Sequence, residues 1–215
     1  DYEVKWYCFL KKFSSKKTVL EIGCGSGRGL KNFRNSETGI DFSREALNRA
    51  GKELKGRNVR LVEGDARRLP FEDGAFDFVF SSGLLEHFKN GKKEDQKILD
   101  EHIRVTKKGG TVMISVPNKF CPWYVLGKSI MYLFDKYPYP DEKSYNIIEL
   151  KKMLRSRGVK NLNYVGLQLF PPSFTGWSRI YPKSVARLFD RIESFLGSLC
   201  YPFCFDIICW GEVGD

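Results

Sequence analysis

Residues 19–27 read VLEIGCGSG, an apolar run that ends in glycines at positions 23, 25 and 27. A buried strand leading into such glycines brings bare backbone against a ligand at the carboxyl edge of a parallel sheet. Dinucleotide-binding enzymes use a related loop, but their pattern requires a glycine where this chain has Arg28. Glu21 adds an acid before the loop, which either holds the loop or interacts with a cationic amino group. The stretch argues against a nicotinamide dehydrogenase.

Five β-rich runs alternate with helical patterns on either side of this stretch. The runs cover residues 18–22, 38–41, 59–63, 76–81 and 111–116, and the helical candidates cover residues 28–33, 43–55, 84–88 and 94–106. Ser43 is typical of a helix N-cap, and Gly109 and Gly110 supply a tight entry to the fifth strand. Parallel strands need crossover connections, so the alternation predicts an α/β fold with a doubly wound parallel sheet.

Two aspartates follow the second and third strands. Asp41 is placed to accept hydrogen bonds from two ribose hydroxyls, although it also suits the start of the next helix. Asp65 is placed to accept from an adenine amine. No Walker-type G-x-x-x-x-G-K-[ST] pattern occurs, which disfavours nucleoside triphosphates. The ligand therefore has a ribose, an adenine and a charged group, and S-adenosylmethionine fits this description.

Length and composition suit a single domain over residues 1–215, with a cofactor half at residues 18–118. The chain has 215 residues, 42% of them hydrophobic, and a net charge of +10. That charge favours anionic partners without choosing among nucleic acid, lipid and metabolite. The six cysteines match no zinc or iron–sulfur spacing. No signal peptide or membrane span is evident, and we expect a cytoplasmic protein with peripheral membrane contact still open.

Four segments closely resemble the class I S-adenosylmethionine-dependent methyltransferases (methyltransferase type 11), especially the branch that includes ubiquinone and menaquinone biosynthesis enzymes. They are VLEIGCGSG, TGIDFS, EGDARRLPFEDGAFDFVFSSGLLEHF and KKGGTVMISVPN, which fall in the family's order between residues 18 and 118. The resemblance implies a Rossmann-like, seven-stranded, mostly parallel sheet with helices on both faces. Its last strand, here at residues 205–210, inserts antiparallel.

The same resemblance implies that S-adenosylmethionine is the cofactor and S-adenosylhomocysteine the product, and it indicates which residues form the cofactor site. The family's cofactor-site positions correspond in this sequence to Glu21, Gly23, Gly25, Asp41, Phe42, Asp65, Ala66, Ser81 and Ser82.

Histidines are scarce, and one of them follows the fourth strand. His87 is the candidate catalytic base, with capping or packing as the alternative, and Glu86 either orients it or faces solvent. Some relatives bind a divalent metal through Glu-x-x-Glu-His, but Gly83 stands at the position of the first glutamate, so we expect no metal. His102 lies in a charge-rich helical stretch and is expected at the surface.

Residues 118–145 and 168–203 are aromatic and are expected to form a helical cap over the acceptor. A helix at residues 147–157, a strand at residues 162–170 and helical spacing over residues 185–199 complete this half. The many aromatic residues in these two segments favour a small-molecule, apolar or lipid-like acceptor. A nucleic-acid methyltransferase is the first alternative, although no [ND]-P-P-[YFW] motif follows the fourth strand. A non-catalytic cofactor-binding module is the second, and the oligomeric state stays open.

Overall fold

One mixed sheet organises the protein. A computed structural model describes residues 2–13, 15–34, 36–88, 93–134, 142–168, 188 and 201–214. Within these ranges the strands are β1 (Thr18–Ile22), β2 (Ser36–Asp41), β3 (Val59–Glu63), β4 (Phe76–Ser82), β5 (Thr106–Pro117), β6 (Val159–Leu167) and β7 (Asp206–Val213). Their order across the sheet is β3-β2-β1-β4-β5-β7-β6. Six strands run parallel and β7 runs antiparallel to both neighbours, which confirms the predicted fold.

Helices cover both faces of the sheet. They are α1 (Tyr2–Leu10), α2 (Arg44–Glu53), α3 (Glu94–Val105), α4 (Pro122–Leu133) and α5 (Ile147–Arg155). Alternate residues of a strand point to opposite faces. On β5, Val112 and Ile114 pack with residues of α3 and α5, whereas Met113 packs with residues of α1. The two faces therefore carry separate buried clusters.

Local signals fix where two of the helices begin. The Ser43 hydroxyl accepts a hydrogen bond from the amide of Ala46, which confirms the predicted N-cap of α2. Asn146 and Glu149 form a reciprocal capping box at the start of α5. The turn after α5 ends at Gly158, whose φ of +80° is easiest for glycine. These caps hold the helices that flank the sheet.

Several predicted element bounds were wrong. β5 begins at Thr106 rather than at residue 111, and its pairing with β4 shifts register between Phe76 and Phe78. The helices predicted at residues 28–33 and 84–88 are short 3-10 turns, Gly29–Asn32 and Leu85–His87. β6 ends at Leu167 rather than at residue 170, which is outside the described residues. The predicted strand at 205–210 runs further, to Val213.

The part of the chain predicted to bind the acceptor is described only in part. Helix α4 and the described residues on either side of it lie within the predicted cap segment 118–145. Most of the segment 168–203 is outside the described residues, and so is the helical spacing over 185–199 apart from Leu188, which is helical and exposed. No described helix has the length and apolar character that a membrane crossing needs.

Candidate functional site

A cavity of about 340 Å³ opens at the carboxyl ends of β1, β2 and β3. This volume is within the range of small-molecule sites, roughly 300–1,000 Å³. The walls come from the glycine loop, the two strand-end aspartates and the turn after β4. The lining residues are Ile22, Gly23, Ile40, Asp41, Phe42, Gly64, Asp65, Ala66, Arg67, Leu84, His87 and Phe88. Five predicted cofactor-site residues therefore meet here, together with His87.

The glycine loop is tied to β2 and leaves its backbone open. The amides of Gly23 and Cys24 both donate to the carbonyl oxygen of Ile40, at 2.8 and 3.0 Å. Gly25 has a φ of +50°, and no atom lies within 4 Å of the place where its Cβ would stand. The backbone at Gly25 is therefore open, whereas the glycine of this loop that lines the cavity is Gly23.

Asp41 joins the loop to helix α2. Its Oδ2 accepts from the Gly25 amide and its Oδ1 accepts from the Ser43 amide, each at 2.9 Å. A carboxylate has about four acceptor sites, so capacity remains for ligand hydroxyls. The neighbouring Phe42 lines the cavity with 81% of its surface exposed. An aromatic face so exposed at a cavity wall is suited to stacking on a nucleoside base.

Asp65 is held by an arginine that the sequence analysis did not select. Arg67 Nε and Nη2 donate to Asp65 Oδ1 and Oδ2, at 3.0 and 2.7 Å, and Arg67 Nη1 donates to Glu94 at 2.9 Å. These hydrogen bonds lower the pKa of Asp65. Arg67 itself lines the cavity beside Ala66. It lies two residues beyond Asp65, and only the folded turn shows that it faces the site.

Glu21 lies beneath the loop rather than on the cavity wall. Burial raises the pKa of its carboxyl to about 8, against a hydrogen bond from the Leu30 amide that lowers it. Its Oε2 has no hydrogen-bond partner among the described residues. A Cβ at Gly29 would overlap with Oε1, so the carboxyl packs directly on the turn after the loop. Of the two alternatives for Glu21, the geometry favours holding the loop.

Ser81, Ser82 and His102 depart from the sequence expectations. Neither serine is among the cavity-lining residues. The Ser81 hydroxyl is instead 3.0 Å from Nε2 of His102. The prediction of a surface position for His102 was wrong: the side chain is fully buried on the inward face of α3. Its Nδ1 is 2.7 Å from the Ile98 carbonyl oxygen, and burial lowers its pKa to about 4.

The turn after β4 brings His87 to the cavity and Glu86 into the interior. His87 is 40% exposed, and its Nδ1 lies 3.8 Å from Oε1 of Glu142. Glu86 is only 2% exposed, so the alternative in which it faces solvent was wrong. Burial chiefly, with the negative charges of Asp206 and Glu142, raises the pKa of Glu86 to about 8. Sequence reasoning missed Glu142, because nothing in its local pattern sets it apart.

Comparison with known proteins finds similarity to methyltransferases. The profile described as "Methyltransferase domain" matches residues 20–114. The chain is 37% identical over 102 residues to a phosphatidylethanolamine N-methyltransferase of Cereibacter sphaeroides, covering 45% of this chain and 48% of that protein. It is 31% identical over 109 residues to a probable tRNA methyltransferase 9B of Bos taurus, covering 50% of this chain and 23% of that protein.

A solved structure extends the likeness over the whole fold. It is an S-adenosylmethionine-dependent methyltransferase of Thermotoga maritima, described as a possible histamine N-methyltransferase, with a TM-score of 0.69 and 17% identity. The superposition covers 98% of this chain and 88% of that one. Identity this low supports the fold alone. The chain spans about half, or less, of the length of the two relatives matched by sequence.

Proposed function

Residues 20–114 match the family described as "Methyltransferase domain", and on that premise we propose that the protein transfers a methyl group from S-adenosylmethionine to a small, apolar or lipid-like acceptor. The observation that carries the proposal is the cavity at the strand ends. There Gly23, Asp41 and Asp65 line one space, each from the end of a different strand. S-adenosylhomocysteine is the product that leaves this space.

The residues present fit such a cofactor. Gly25 offers open backbone, and Asp41 retains acceptor capacity toward ribose hydroxyls. Phe42 presents an exposed ring on which an adenine can stack. Asp65 and Arg67 also line the cavity, and the carboxylate of Asp65 is the proposed acceptor for an adenine amine. A ligand with a ribose, an adenine and no pyrophosphate matches this set.

The chain's own residues chiefly position the reaction. When bound, S-adenosylmethionine supplies a methyl group already activated by its sulfonium. The acceptor's lone pair attacks the methyl carbon while the carbon–sulfur bond breaks and its electron pair stays on sulfur. Alignment can supply most of the catalysis in such a displacement. His87 faces the cavity and is the proposed base for a proton that an oxygen or nitrogen acceptor must lose.

The apolar acceptor is supported by helix α4 and the turn before it. An unusually large part of their apolar surface faces outward. The exposed side chains are Phe120, Trp123, Val125, Leu126, Ile130, Met131, Tyr132, Leu133 and Phe134. Contiguous apolar surface commonly marks a binding site or a membrane contact. The likeness to a phosphatidylethanolamine N-methyltransferase is consistent with an acceptor of this kind.

Nucleic acid is the second candidate acceptor. The net charge of +10 and the likeness to a probable tRNA methyltransferase favour it. Against it, α4 carries a single basic residue, Lys128, among its exposed apolar side chains, whereas single-stranded RNA is bound in basic grooves. A non-catalytic module that binds the cofactor without turnover is the third candidate.

One screen separates the three candidates. The protein is incubated with S-adenosylmethionine labelled on the methyl group and with extracted lipids, polar metabolites or RNA in parallel. We expect label in the lipid fraction. Label only in RNA would identify a nucleic-acid enzyme, and label only in polar metabolites would refute the apolar acceptor. Cofactor binding by calorimetry without label in any fraction would indicate the non-catalytic module.

A further inference from the structure

Two distant segments bring three potential metal ligands together beside the cofactor cavity. Glu86 and His87 belong to the turn after β4, and Glu142 belongs to the segment that precedes α5. One ligand atom from each of the three side chains lies within 4.8 Å of the other two. We propose that Glu86, His87 and Glu142 form a binding site for one divalent transition-metal ion.

The orientation of the cluster is fixed by hydrogen bonds outside it. The Tyr124 hydroxyl donates to Oε2 of Glu142 at 3.0 Å, which leaves Oε1 as the oxygen nearer to His87. The Lys143 amide donates to the Glu86 carbonyl oxygen at 2.8 Å and joins the two segments. Metal-binding carboxylates are commonly held by such outer hydrogen bonds, which set the direction of the ligand atom.

A buried oxygen without a hydrogen-bond partner is a second, independent observation at this cluster. Oε2 of Glu86 is inaccessible to solvent and has no hydrogen-bond partner within the described ranges. Leaving a buried carboxylate oxygen unsatisfied is costly. The carboxylates of Glu142 and Asp206 are also buried nearby and add negative charge. A divalent ion would satisfy the oxygen and offset the mutual repulsion.

The donor set restricts the kind of ion. Two carboxylates and one imidazole suit Mn²⁺, Fe²⁺ or Zn²⁺ better than a soft metal that prefers thiolates. Three protein ligands leave coordination positions open, as in catalytic rather than structural sites. His87 lines the cavity, so the open side faces the space where an acceptor would stand.

The ion would change how the acceptor loses its proton, and only this point rests on the proposed function. A Lewis acid beside the cavity lowers the pKa of an acceptor hydroxyl, whose proton then passes to water. The oxygen lone pair forms the new bond to the methyl carbon as the carbon–sulfur bond breaks. His87 would then be a ligand rather than the base. No metal was expected from the sequence, because Gly83 stands where some relatives have a glutamate ligand. Glu142 was not considered there, because it is remote in sequence from Glu86 and His87.

Binding of Mn²⁺ alone tests the site without any methyl transfer. The purified protein is stripped with chelator and titrated with Mn²⁺, while electron paramagnetic resonance reports the remaining free ion. We expect one saturable site in the wild type. Glu142→Gln, Glu86→Gln and His87→Ala should each weaken the affinity by about tenfold or more. Glu45→Gln is the matched control, since Glu45 is exposed on α2 and pairs with Arg49.

Each outcome decides for or against the site. Affinity lost in Glu142→Gln and kept in Glu45→Gln supports it, even if Glu86→Gln fails to fold. No saturable binding by the wild type overturns the proposal, and so does equal binding by the wild type, Glu142→Gln and His87→Ala. The methyltransferase proposal stands or falls separately, because neither donor nor acceptor is present in the titration.

Discussion

Asp41 accepts hydrogen bonds from the amides of Gly25 and Ser43, so this residue connects the glycine loop to helix α2. Asp41→Ala should weaken S-adenosylmethionine binding by about 2–3 kcal/mol, as expected for charged hydrogen bonds to buried hydroxyls. Asp65→Ala should cost less, because its partner on the ligand is a neutral amine. Calorimetry measures both affinities.

Asp100→Ala is the control for these variants, since Asp100 is exposed and pairs with Arg157 far from the cavity. Unfolding curves show whether Asp41→Ala retains its fold. Wild-type affinity in a folded Asp41→Ala protein would remove the ribose assignment.

His102 should make the free energy of unfolding depend on pH in the acidic range. Burial lowers its pKa from 6.5 to about 4, so the unfolded chain binds the proton more readily than the folded one. The stability contributed by the neutral ring is present above pH 6.5 and is lost as the pH falls toward 4. At pH 4.5 the loss is about 2–3 kcal/mol. The measurement is the free energy of unfolding in urea at pH 7 and pH 4.5.

The comparison variant is His102→Gln, whose amide can still donate to Ile98 and accept from Ser81 but does not titrate. The wild type should lose more stability than His102→Gln between the two pH values. Equal losses would show that His102 is not the group responsible.

Single residues were predicted well where position along a strand decides their place. Asp41 and Asp65 follow β2 and β3, and the carboxyl ends of parallel strands meet at one edge. His102 was misjudged because its charged neighbours hide a helical period: Ile98, Leu99, His102 and Val105 share the inward face of α3. Glu142 reaches the site through a tertiary contact and Arg67 through the folded turn after Asp65, and no local sequence pattern records either position.

The turn Gly29–Asn32 depends on the absence of a side chain at its first position. Gly29→Ala would place a Cβ on top of Oε1 of Glu21 and displace a buried carboxyl. We expect a loss of about 1–3 kcal/mol in the free energy of unfolding, together with weaker cofactor binding. Denaturant titration and calorimetry provide the two measurements.

Gly127→Ala is the matched control for Gly29→Ala. Gly127 lies within α4, and no atom stands within 4 Å of the place that a Cβ on Gly127 would occupy. Alanine favours a helix over glycine, so this variant should gain about 0.5–1 kcal/mol. A neutral or stabilising Gly29→Ala would contradict the packing of Glu21 on the turn.

Helix α4 is the element on which acceptor specificity should depend. Trp123→Ala removes a large aromatic surface near the start of α4 and does not touch the cavity walls. We expect acceptor turnover to fall about tenfold or more through lost positioning, with unchanged cofactor affinity. Trp177→Ala, chosen from the sequence, tests the segment outside the described residues in the same way.

Ile148→Ala is the control for the tryptophan variants, because Ile148 is an exposed apolar residue on α5. It should keep full turnover with the acceptor found in the screen. Wild-type turnover in both tryptophan variants would remove the apolar pocket.

The elements were predictable to different degrees. Strands β1 to β4 were placed closely, because each is short, contains β-branched or aromatic residues and is bounded by turn residues. The early start of β5 was missed because residues 106–110 are polar and glycine-rich, yet Thr106 pairs with Phe76 of β4 ahead of a register shift. Helix α1 was not predicted at all, since aromatic residues over 2–10 give no clear helical period.

The whole molecule should lose stability as the pH rises from 4.5 through about 8. Burial raises the pKa of both Glu21 and Glu86 from 4.5 to about 8, so the folded chain holds two protons that the unfolded chain releases. The stability from the neutral carboxyls is complete below pH 4.5 and is lost as the pH rises through 8. Each group should cost about 2 kcal/mol between pH 6 and pH 8.

Unfolding in chelator-containing buffer at pH 6 and pH 8 measures this loss. Chelator removes any contribution from bound metal. Glu21→Gln and Glu86→Gln should each flatten the dependence by about half. A stability that stays constant in the wild type between these pH values would contradict the buried, protonated state of both carboxyls.

The position of β7 has a consequence for the order in which the chain assembles during synthesis. Among the described strands, β6 lies at the edge of the sheet and pairs with β7 alone, yet β7 is made after it, at residues 206–213. While the ribosome is still adding those residues, β6 has no strand beside it, and β5 presents an unpaired edge. Exposed strand edges invite pairing with other chains. The nascent protein therefore passes through an interval of aggregation risk that ends only when β7 inserts between them.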